Sequence, residues 1–271
     1  MLDRMIIVNS NCYHGYDVFE SIKGIHDAGF HHVELTATKG WTEHVFPDFT
    51  FEKLLQVKEC LKKYDVDVPS FSGHCNLMDS ERLPDFVKNI HLAAFFGAKT
   101  IVSSIGEAHL KDKAKLGDEE LKKNLLSLIP VLEEEGMNLV LETHGEHGTA
   151  KRIKEITSVL NTERIKVCYD TANAIFYGDV EGTEDVEAAV DEIRYLHIKD
   201  KAAGRHEWNF PALGDGYVDF PAILKVLDDN DNASPLSIEI EFTQEGSSSI
   251  EEVNEAVKKS GKYLEDLGYT L

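Results

Sequence analysis

The stretch Lys166-Val167-Cys168-Tyr169-Asp170-Thr171-Ala172-Asn173 contains an apolar run that ends in an acidic residue. Such a run favours a buried β-strand, and Asp170 stands where the strand gives way to polar residues. Three other metal-capable residues end similar apolar runs: Glu142 after Leu139-Val140-Leu141, His197 after Tyr195-Leu196, and Glu239 after Leu236-Ser237-Ile238. Successive members are about 28, 27 and 42 residues apart. These separations are close to one βα unit or one extended unit of roughly 30 residues.

Short apolar runs of this kind recur along the whole chain, and eight of them are predicted to be strands. They cover residues 5–9, 32–36, 66–71, 99–103, 138–142, 166–170, 195–198 and 236–240. Near-continuous Val, Ile and Leu runs are typical of parallel strands that are buried on both faces. The sequence therefore favours a parallel sheet.

Helical patterns separate these strands. Asp17 and Glu20 form a capping-box sequence, and Gly29 marks the end of the same helix. Further helices are expected over Phe51–Tyr64, from Ser80 to residue 97, from 121 to 136 with a kink at Pro130, and over 149–160, 183–192, 219–227 and 250–267. Strands and helices in strict alternation predict an α/β fold, a (β/α)8 TIM barrel in one domain spanning residues 1–271. No glycine-rich nucleotide motif follows the first strand, which disfavours a doubly wound nucleotide-binding sheet.

The composition excludes several classes of partner. Forty-nine acidic residues against 28 lysines and arginines give a formal charge of −21, which repels phosphate backbones and disfavours nucleic-acid binding. No run approaches the roughly 18 apolar residues of a membrane span, and the first residues lack a signal-peptide pattern. Four cysteines without CxxC spacing are expected to be reduced, which points to a cytoplasmic protein.

In a barrel of this type the active site lies at the carboxyl ends of the strands, where Glu142, Asp170, His197 and Glu239 would meet. Carboxylates with one imidazole suit one divalent ion, with Mn²⁺ expected first and Mg²⁺, Co²⁺ or Zn²⁺ as alternatives. Glu142 and Glu239 could face each other and act as the catalytic pair that removes and returns a proton beside a carbonyl. The alternative is that some of these residues only close the rim of the barrel. Glu241 competes with Glu239, because both point to the same face of the last strand.

Other polar residues are candidates for contacts to a small sugar. His74 could bind a sugar hydroxyl or be a plain rim residue. Asp200 could orient His197 or bind a substrate hydroxyl. Lys199 and Arg205 could hold a phosphate or offset nearby acids. Weaker candidates are Glu34 as a support of the pocket floor or as partner of a core Arg or Lys, His144 and His147 for substrate contact, and Trp208 and Phe210 for stacking.

Several segments, taken in order, resemble the xylose isomerase-like TIM barrels, the sugar phosphate isomerase/epimerase superfamily that includes AP endonuclease family 2. The similar segments are Leu141-Glu142-Thr143-His144-Gly145, Tyr169-Asp170-Thr171-Ala172-Asn173, Leu196-His197-Ile198-Lys199-Asp200, the turn Leu213-Gly214-Asp215-Gly216, and Ser237-Ile238-Glu239. The resemblance implies that Glu142, Asp170, His197 and Glu239 bind one metal ion. It also implies that Glu142 and Glu239 epimerise a keto sugar, and it places Arg205 near a substrate-binding arginine.

Asn173 departs from the family pattern, since ketose epimerases and endonuclease IV have histidine there. It is kept as a substrate-binding candidate, but a trinuclear zinc site for DNA repair is not expected. The leading hypothesis is a metal-dependent isomerase or epimerase of a ketose or keto-polyol that works through an enediolate. A lyase or dehydratase acting on a keto-inositol or keto-glycoside is the alternative, and a non-catalytic sugar-binding barrel is a third. A homo-oligomer is also expected to be possible.

Overall fold

A computed structural model describes residues 2–106 and 117–271. Its strands are β1 Ile6–Asn9, β2 His32–Thr36, β3 Asp67–Ser72, β4 Thr100–Ser103, β5 Asn138–Glu142, β6 Ile165–Asp170, β7 Ile193–Ile198, β8 Asn209–Phe210, β9 Leu236–Ile238 and β10 Phe242–Thr243. Strands β1 to β7 and β9 form a closed parallel barrel in chain order, because β1 pairs with both β2 and β9. The predicted (β/α)8 fold is confirmed, and every predicted strand lies within two residues of an observed one.

Helices surround this barrel. They are the short 3₁₀ helix Ser10–Tyr13 and the α-helices α1 Val18–Asp27, α2 Phe51–Tyr64, α3 Leu83–Phe96, α4 Asp118–Glu134, α5 Ala150–Thr157, α6 Thr171–Phe176, α7 Thr183–Ala189, α8 Phe220–Asp229 and α9 Ile250–Asp266. No helix among the described residues is long and apolar enough to cross a membrane.

Local sequence signals explain most helix ends. The capping box of α1 is formed as predicted, with Asp17 accepting from the amides of Phe19 and Glu20. The predicted start of the third helix at Ser80 is wrong: α3 begins at Leu83 with a proline in its first turn, and no side chain caps it. Helix α4 continues through Pro130.

Side-chain alternation along the strands separates two layers of packing. Most buried apolar residues lie in one large cluster between the strands and the helices. A smaller cluster contains one residue from each of five strands: Ile7, Val102, Val140, Cys168 and Tyr195. The apolar residues next to these five along the strands belong to the outer cluster, so the smaller cluster fills the interior of the barrel. Polar side chains two positions further along the same strands must therefore also point inward.

The connections after β7 and β9 form an additional element that the sequence analysis did not predict. Strands β8 and β10 pair in antiparallel register, Phe210 opposite Phe242 and Asn209 opposite Thr243. This pairing holds the two loops together at the carboxyl end of the barrel.

Candidate functional site

The four predicted metal ligands form one compact buried group. Glu142, Asp170 and His197 lie two residues beyond Val140, Cys168 and Tyr195 of the interior cluster. Glu239 directly follows β9. One ligand atom from each of the four lies within 4.8 Å of the others. The barrel thus brings together side chains that are far apart in the sequence.

Asp170 uses its two carboxylate oxygens differently. Oδ1 accepts the backbone N–H groups of Ala172 and Asn173 at 2.9 and 2.8 Å and so caps α6. Oδ2 is buried and has no hydrogen-bond partner among the described residues. Burial raises the pKa of this carboxyl well above its usual range, although the nearby Lys199 ammonium opposes the shift. A buried carboxylate oxygen without a donor is the strongest sign that a cation belongs here.

His197 connects the cluster to the interior of the barrel. Its Nδ1 lies 2.6 Å from Oε1 of Glu142 and 3.4 Å from Oε2 of Glu239. Its Nε2 lies 3.1 Å from Oε1 of Glu34. Burial alone would lower the pKa of His197, but neighbouring acidic groups, Cys168 first and then the carboxylates, raise it well above its usual range. The ring therefore presents one nitrogen to the cluster and is oriented by a carboxylate at the other, as metal-binding histidines commonly are.

Glu34 is fully buried and supports this arrangement. Besides His197, it accepts a hydrogen bond of 2.8 Å from the hydroxyl of Tyr195, whose oxygen lies 2.6 Å from Oγ of Ser70. Asn9 Nδ2 is 3.5 Å away. Two roles were considered from the sequence: support of the pocket floor, or pairing with a core arginine or lysine. The described partners of Glu34 include no arginine or lysine, so its contacts fit support of the pocket floor.

Burial would raise the pKa of both glutamates of the cluster, but their positive neighbours reverse this effect. The His197 imidazole and its hydrogen bond hold the pKa of Glu142 well below its usual range. Lys199 and then His197 lower the pKa of Glu239. Both side chains are therefore carboxylates, the form that binds a cation or accepts a proton.

Lys199 is a buried cation beside the cluster. Its Nζ lies 3.4 Å from Oε2 of Glu239, 3.8 Å from Oδ2 of Asp170 and 2.5 Å from Oε2 of Glu241. Burial would lower the pKa of Lys199, but these acids raise it well above the usual value. Glu241 is held by this ion pair and by Asn11 Nδ2 at 3.0 Å, so the metal-capable cluster contains Glu239 and not its competitor.

The donor set fits a divalent ion. Three carboxylates and one imidazole nitrogen converge, and Oδ2 of Asp170 accepts no hydrogen bond from the described residues. Oxygen donors with a single histidine suit Mn²⁺ or Mg²⁺, and Co²⁺ or Zn²⁺ also accept such ligands.

A narrow polar cavity opens onto Glu142 and Glu239 of this cluster. His74 lies in its wall; its Nδ1 accepts the amide of Ser104, so Nε2 faces Oε2 of Glu142 at 3.9 Å. His144 also lies in the wall, tilted against the ring of Tyr177, and burial lowers its pKa to about 4. The full lining is Asn11, Thr36, Thr38, Trp41, Ser72, His74, Glu142, His144, Asn173, Lys199, Trp208, Glu239 and Glu241.

Several lining residues come from the first half of the barrel and were missed. Asn11, Thr36 and Ser72 stand at or just after the ends of β1, β2 and β3. Their position could have identified them, since every strand end in a barrel faces the same side. They were overlooked because hydroxyl and amide side chains are too common at strand ends to be distinguished by type alone.

The structure does not bring Asp200 or Arg205 into the cavity, contrary to the prediction that they bind substrate. The Asp200 carboxylate accepts the backbone N–H groups of residues 201, 214, 216 and 218. Arg205 forms ion pairs with Glu181 and Asp179 outside the pocket. His147 is buried and does not line the cavity either.

Comparisons with known proteins agree with this architecture. A sequence profile described as xylose isomerase-like TIM barrel matches residues 22–267. The chain is 25% identical over 218 residues to inosose dehydratase of Clostridium perfringens, and the match covers 68% of this chain and 73% of that protein.

Solved structures show the same fold at lower identity. D-allulose 3-epimerase from Methylomonas sp. in complex with D-allulose has a TM-score of 0.74 and 16% identity over 98% of both chains. The IolI protein with a bound zinc atom has a TM-score of 0.75 and 18% identity over 97% of both chains. The profile match spans most of the sequence, and the chain therefore belongs to the xylose isomerase-like TIM barrel family.

Proposed function

We propose that this protein is a divalent-metal-dependent sugar isomerase or epimerase that transfers a proton beside the carbonyl of a ketose or related keto-polyol. The observation that carries the proposal is the buried group of Glu142, Asp170, His197 and Glu239, in which Oδ2 of Asp170 has no described hydrogen-bond partner. The group borders a polar cavity whose lining offers hydroxyl, amide, imidazole and ammonium groups to a small polar molecule. The similarity to a sugar epimerase and to inosose dehydratase supports the same class of substrate.

Glu142 and Glu239 are proposed as the proton-transfer pair. A divalent ion in this site would act as a Lewis acid toward the carbonyl and neighbouring hydroxyl of a sugar, which acidifies the adjacent C–H group. His197 holds one oxygen of Glu142, and Asn11 donates to one oxygen of Glu239 at 2.9 Å. Each carboxylate is thus fixed in orientation, and one would remove the proton while the other returns it to an enediolate.

The remaining polar wall is proposed to position the sugar. His74 presents a ring nitrogen toward Glu142, Asn173 offers an amide, and Lys199 offers an ammonium group. Mn²⁺ is the proposed ion, because oxygen donors dominate the set. Mg²⁺, Co²⁺ and Zn²⁺ remain alternatives.

A dehydratase is the second candidate, and Lys199 favours it. Its buried ammonium group lies among Glu239, Glu241 and Asp170 at the edge of the cavity, where it could donate a hydrogen bond to a departing hydroxyl group and stabilise the charge that develops there. The curated relatives named inosose dehydratase support this reading as well. In this reaction the enediolate would lose water instead of being reprotonated.

Proton exchange with solvent tests both candidates. The manganese-loaded protein is incubated with a panel of ketoses and inososes in deuterated buffer, and products are followed by NMR and ultraviolet absorbance. Deuterium incorporation with a new stereoisomer and without loss of water supports the isomerase or epimerase. An absorbing enone supports the dehydratase, and neither signal with any member of the panel would reject the proposal in favour of a sugar-binding barrel.

Other properties follow as expectations from the same reading. The partner is a small sugar rather than nucleic acid, so cleavage of abasic DNA would contradict it. A cytoplasmic location and a possible homo-oligomer remain predictions that fractionation and light scattering can check.

A further inference from the structure

A second, larger space adjoins the metal-facing cavity. This groove has a volume of about 620 Å³ and is lined by Asn11, Cys12, His14, Trp41, Trp208 and residues 240–247. Asn11, Trp41, Trp208 and Glu241 line both spaces. The groove is therefore a continuation of the cavity. A ligand that extends out of the cavity on this side enters it.

One side of the groove is aromatic and firmly held. Trp41 stacks on His14 with 4.2 Å between ring centroids, and its Nε1 donates to Oδ1 of Asn11 at 3.0 Å. Trp208 meets Trp41 edge-on at 6.4 Å and packs against Phe210 at 5.0 Å. The chain has two tryptophans in total, and both line this groove.

The other side is polar and acidic. It consists of the loop that follows β9 and includes Thr243, Gln244, Glu245 and Ser247. The charged side chains of the described groove lining are Glu241 and Glu245, with no lysine or arginine among them. Acceptors of this kind suit hydroxyl donors, whereas a phosphate group would meet like charge.

Two basic residues that precede Trp208 in the same loop are engaged elsewhere. Nζ of Lys201 donates to the carbonyl oxygens of Ala202, Gly204 and Glu207 at 2.6, 2.9 and 2.6 Å. Arg205 is paired with Glu181. Neither is therefore oriented to neutralise an anion in the groove.

We infer that the groove binds a second, uncharged sugar ring that is joined by a glycosidic bond to the sugar whose carbonyl lies in the metal-facing cavity. An indole surface packs against the C–H face of a sugar ring, and the acidic and amide side chains accept its hydroxyl groups. This inference rests on the proposed function and specifies its substrate as a neutral keto-glycoside.

Four related probes test it. Fructose, fructose 6-phosphate and isomaltulose present the same ketose with a free hydroxyl, a phosphate or a glucosyl ring at O6, and maltulose carries the ring at O4. Binding to magnesium-loaded protein is measured by tryptophan fluorescence, because both indoles lie in the groove, and by calorimetry. Deuterium exchange is recorded separately, so that loss of the proposed reaction can be told apart from loss of the groove site.

At least one of the two disaccharides is expected to bind about three- to tenfold more tightly than fructose, the gain that one aromatic contact provides. Fructose 6-phosphate is expected to bind more weakly than fructose. Trp208→Ala should remove the disaccharide advantage, and Glu245→Lys should narrow the difference between fructose 6-phosphate and fructose. Tyr217→Ala, an exposed aromatic outside the groove, should leave all ratios unchanged.

Equal or weaker binding of both disaccharides compared with fructose would overturn the inference, as would a disaccharide advantage that survives in Trp208→Ala. Preference for fructose 6-phosphate in the wild type would also overturn it. If disaccharides bind as expected but no proton exchange occurs, the groove site stands and the proposed reaction fails.

Discussion

Single side chains at this site divide their atoms between folding and binding. Asp170 is the clearest case, because Oδ1 caps a helix while Oδ2 faces the other members of the cluster without a described donor. The negative charge of Asp170 is unfavourable in the absence of a cation, since burial and the neighbouring acids raise its pKa. A cation would relieve that cost.

Asp170→Asn should separate the two roles. An asparagine keeps an oxygen that caps α6 about equally well, but it replaces the second oxygen with an amide that cannot bind a cation. We expect metal affinity to fall by more than about 100-fold, beyond the usual effect of an outer-shell change. The metal-free variant should be at least as stable as metal-free wild type. Calorimetric metal titration and thermal melts in chelator measure both quantities.

Asp170→Ala is the comparison variant, since it loses the cap as well. It should lower the free energy of unfolding by about 0.5–2 kcal/mol in addition to abolishing metal binding. Unchanged metal content in Asp170→Asn would show that this residue is not a ligand.

Glu34 lies outside the metal-capable cluster and is expected to act on it by orienting His197. Glu34→Gln should weaken metal binding by about 10–100-fold, because the ring loses the carboxylate that orients it and raises its basicity. The fold should be retained, as the amide oxygen of glutamine can still accept from Nε2. Glu52→Gln, on the exposed face of α2, is the matched control. If both variants bind metal equally well, Glu34 does not position His197.

At the scale of elements, the connection from β7 to α8 is organised by one buried carboxylate. Asp200 accepts four backbone amides, three of them between residues 214 and 218. The approach is close, since a Cβ on Gly216 would lie 2.2 Å from Oδ1 of Asp200. Asp200 therefore holds the shape of this loop, and it does so from outside the cavity.

Asp200→Ala should lower the free energy of unfolding by about 3 kcal/mol, because several amides lose a charged acceptor. Metal affinity should change little. Asp215→Ala in the same loop is the control; it removes one exposed ion pair with Lys259 and should cost less than about 1 kcal/mol. Chemical denaturation and metal titration provide the two readouts. Loss of sugar binding at full stability would instead restore the role first expected for Asp200.

At the scale of the molecule, the closed barrel is held by apolar packing that does not depend on a cation. One cluster fills the space between strands and helices, and a second fills the interior below the site. His197 and Lys199 already offset part of the negative charge of the cluster. The metal-free protein should therefore remain folded.

Chelation is accordingly expected to abolish turnover and lower the melting temperature while the far-ultraviolet circular dichroism stays unchanged. Added Mn²⁺ or Co²⁺ should restore both activity and melting temperature, because an ion that binds only the folded state stabilises it. Asp170→Asn serves as the control, in which chelator should cause no shift. Turnover by fully metal-free protein would contradict the proposed function.

Much of this architecture was readable from local pattern. Eight apolar runs with polar ends identified the strands and, with the helices between them, the barrel. The four metal-capable residues could be singled out because their side-chain types are rare at strand ends. The helix start predicted at Ser80 was wrong because a serine caps a helix only when it directly precedes the first helical residue. The proline in the first turn of α3 favours the start at Leu83 instead.

The amino-acid sequence by itself determined the closed barrel and the four residues that converge at its carboxyl end, because strand periodicity fixes which side chains point inward. Only the tertiary structure showed that Glu239, and not Glu241, belongs to the metal-capable cluster. It also showed that Asp200 and Arg205 contact groups outside the cavity, and that Asn11 and Trp41 line it. These outcomes depend on contacts between distant loops. The partner of a side chain in such a loop depends on which groups of the other loops lie within bonding distance. The local sequence pattern contains no information about these distances.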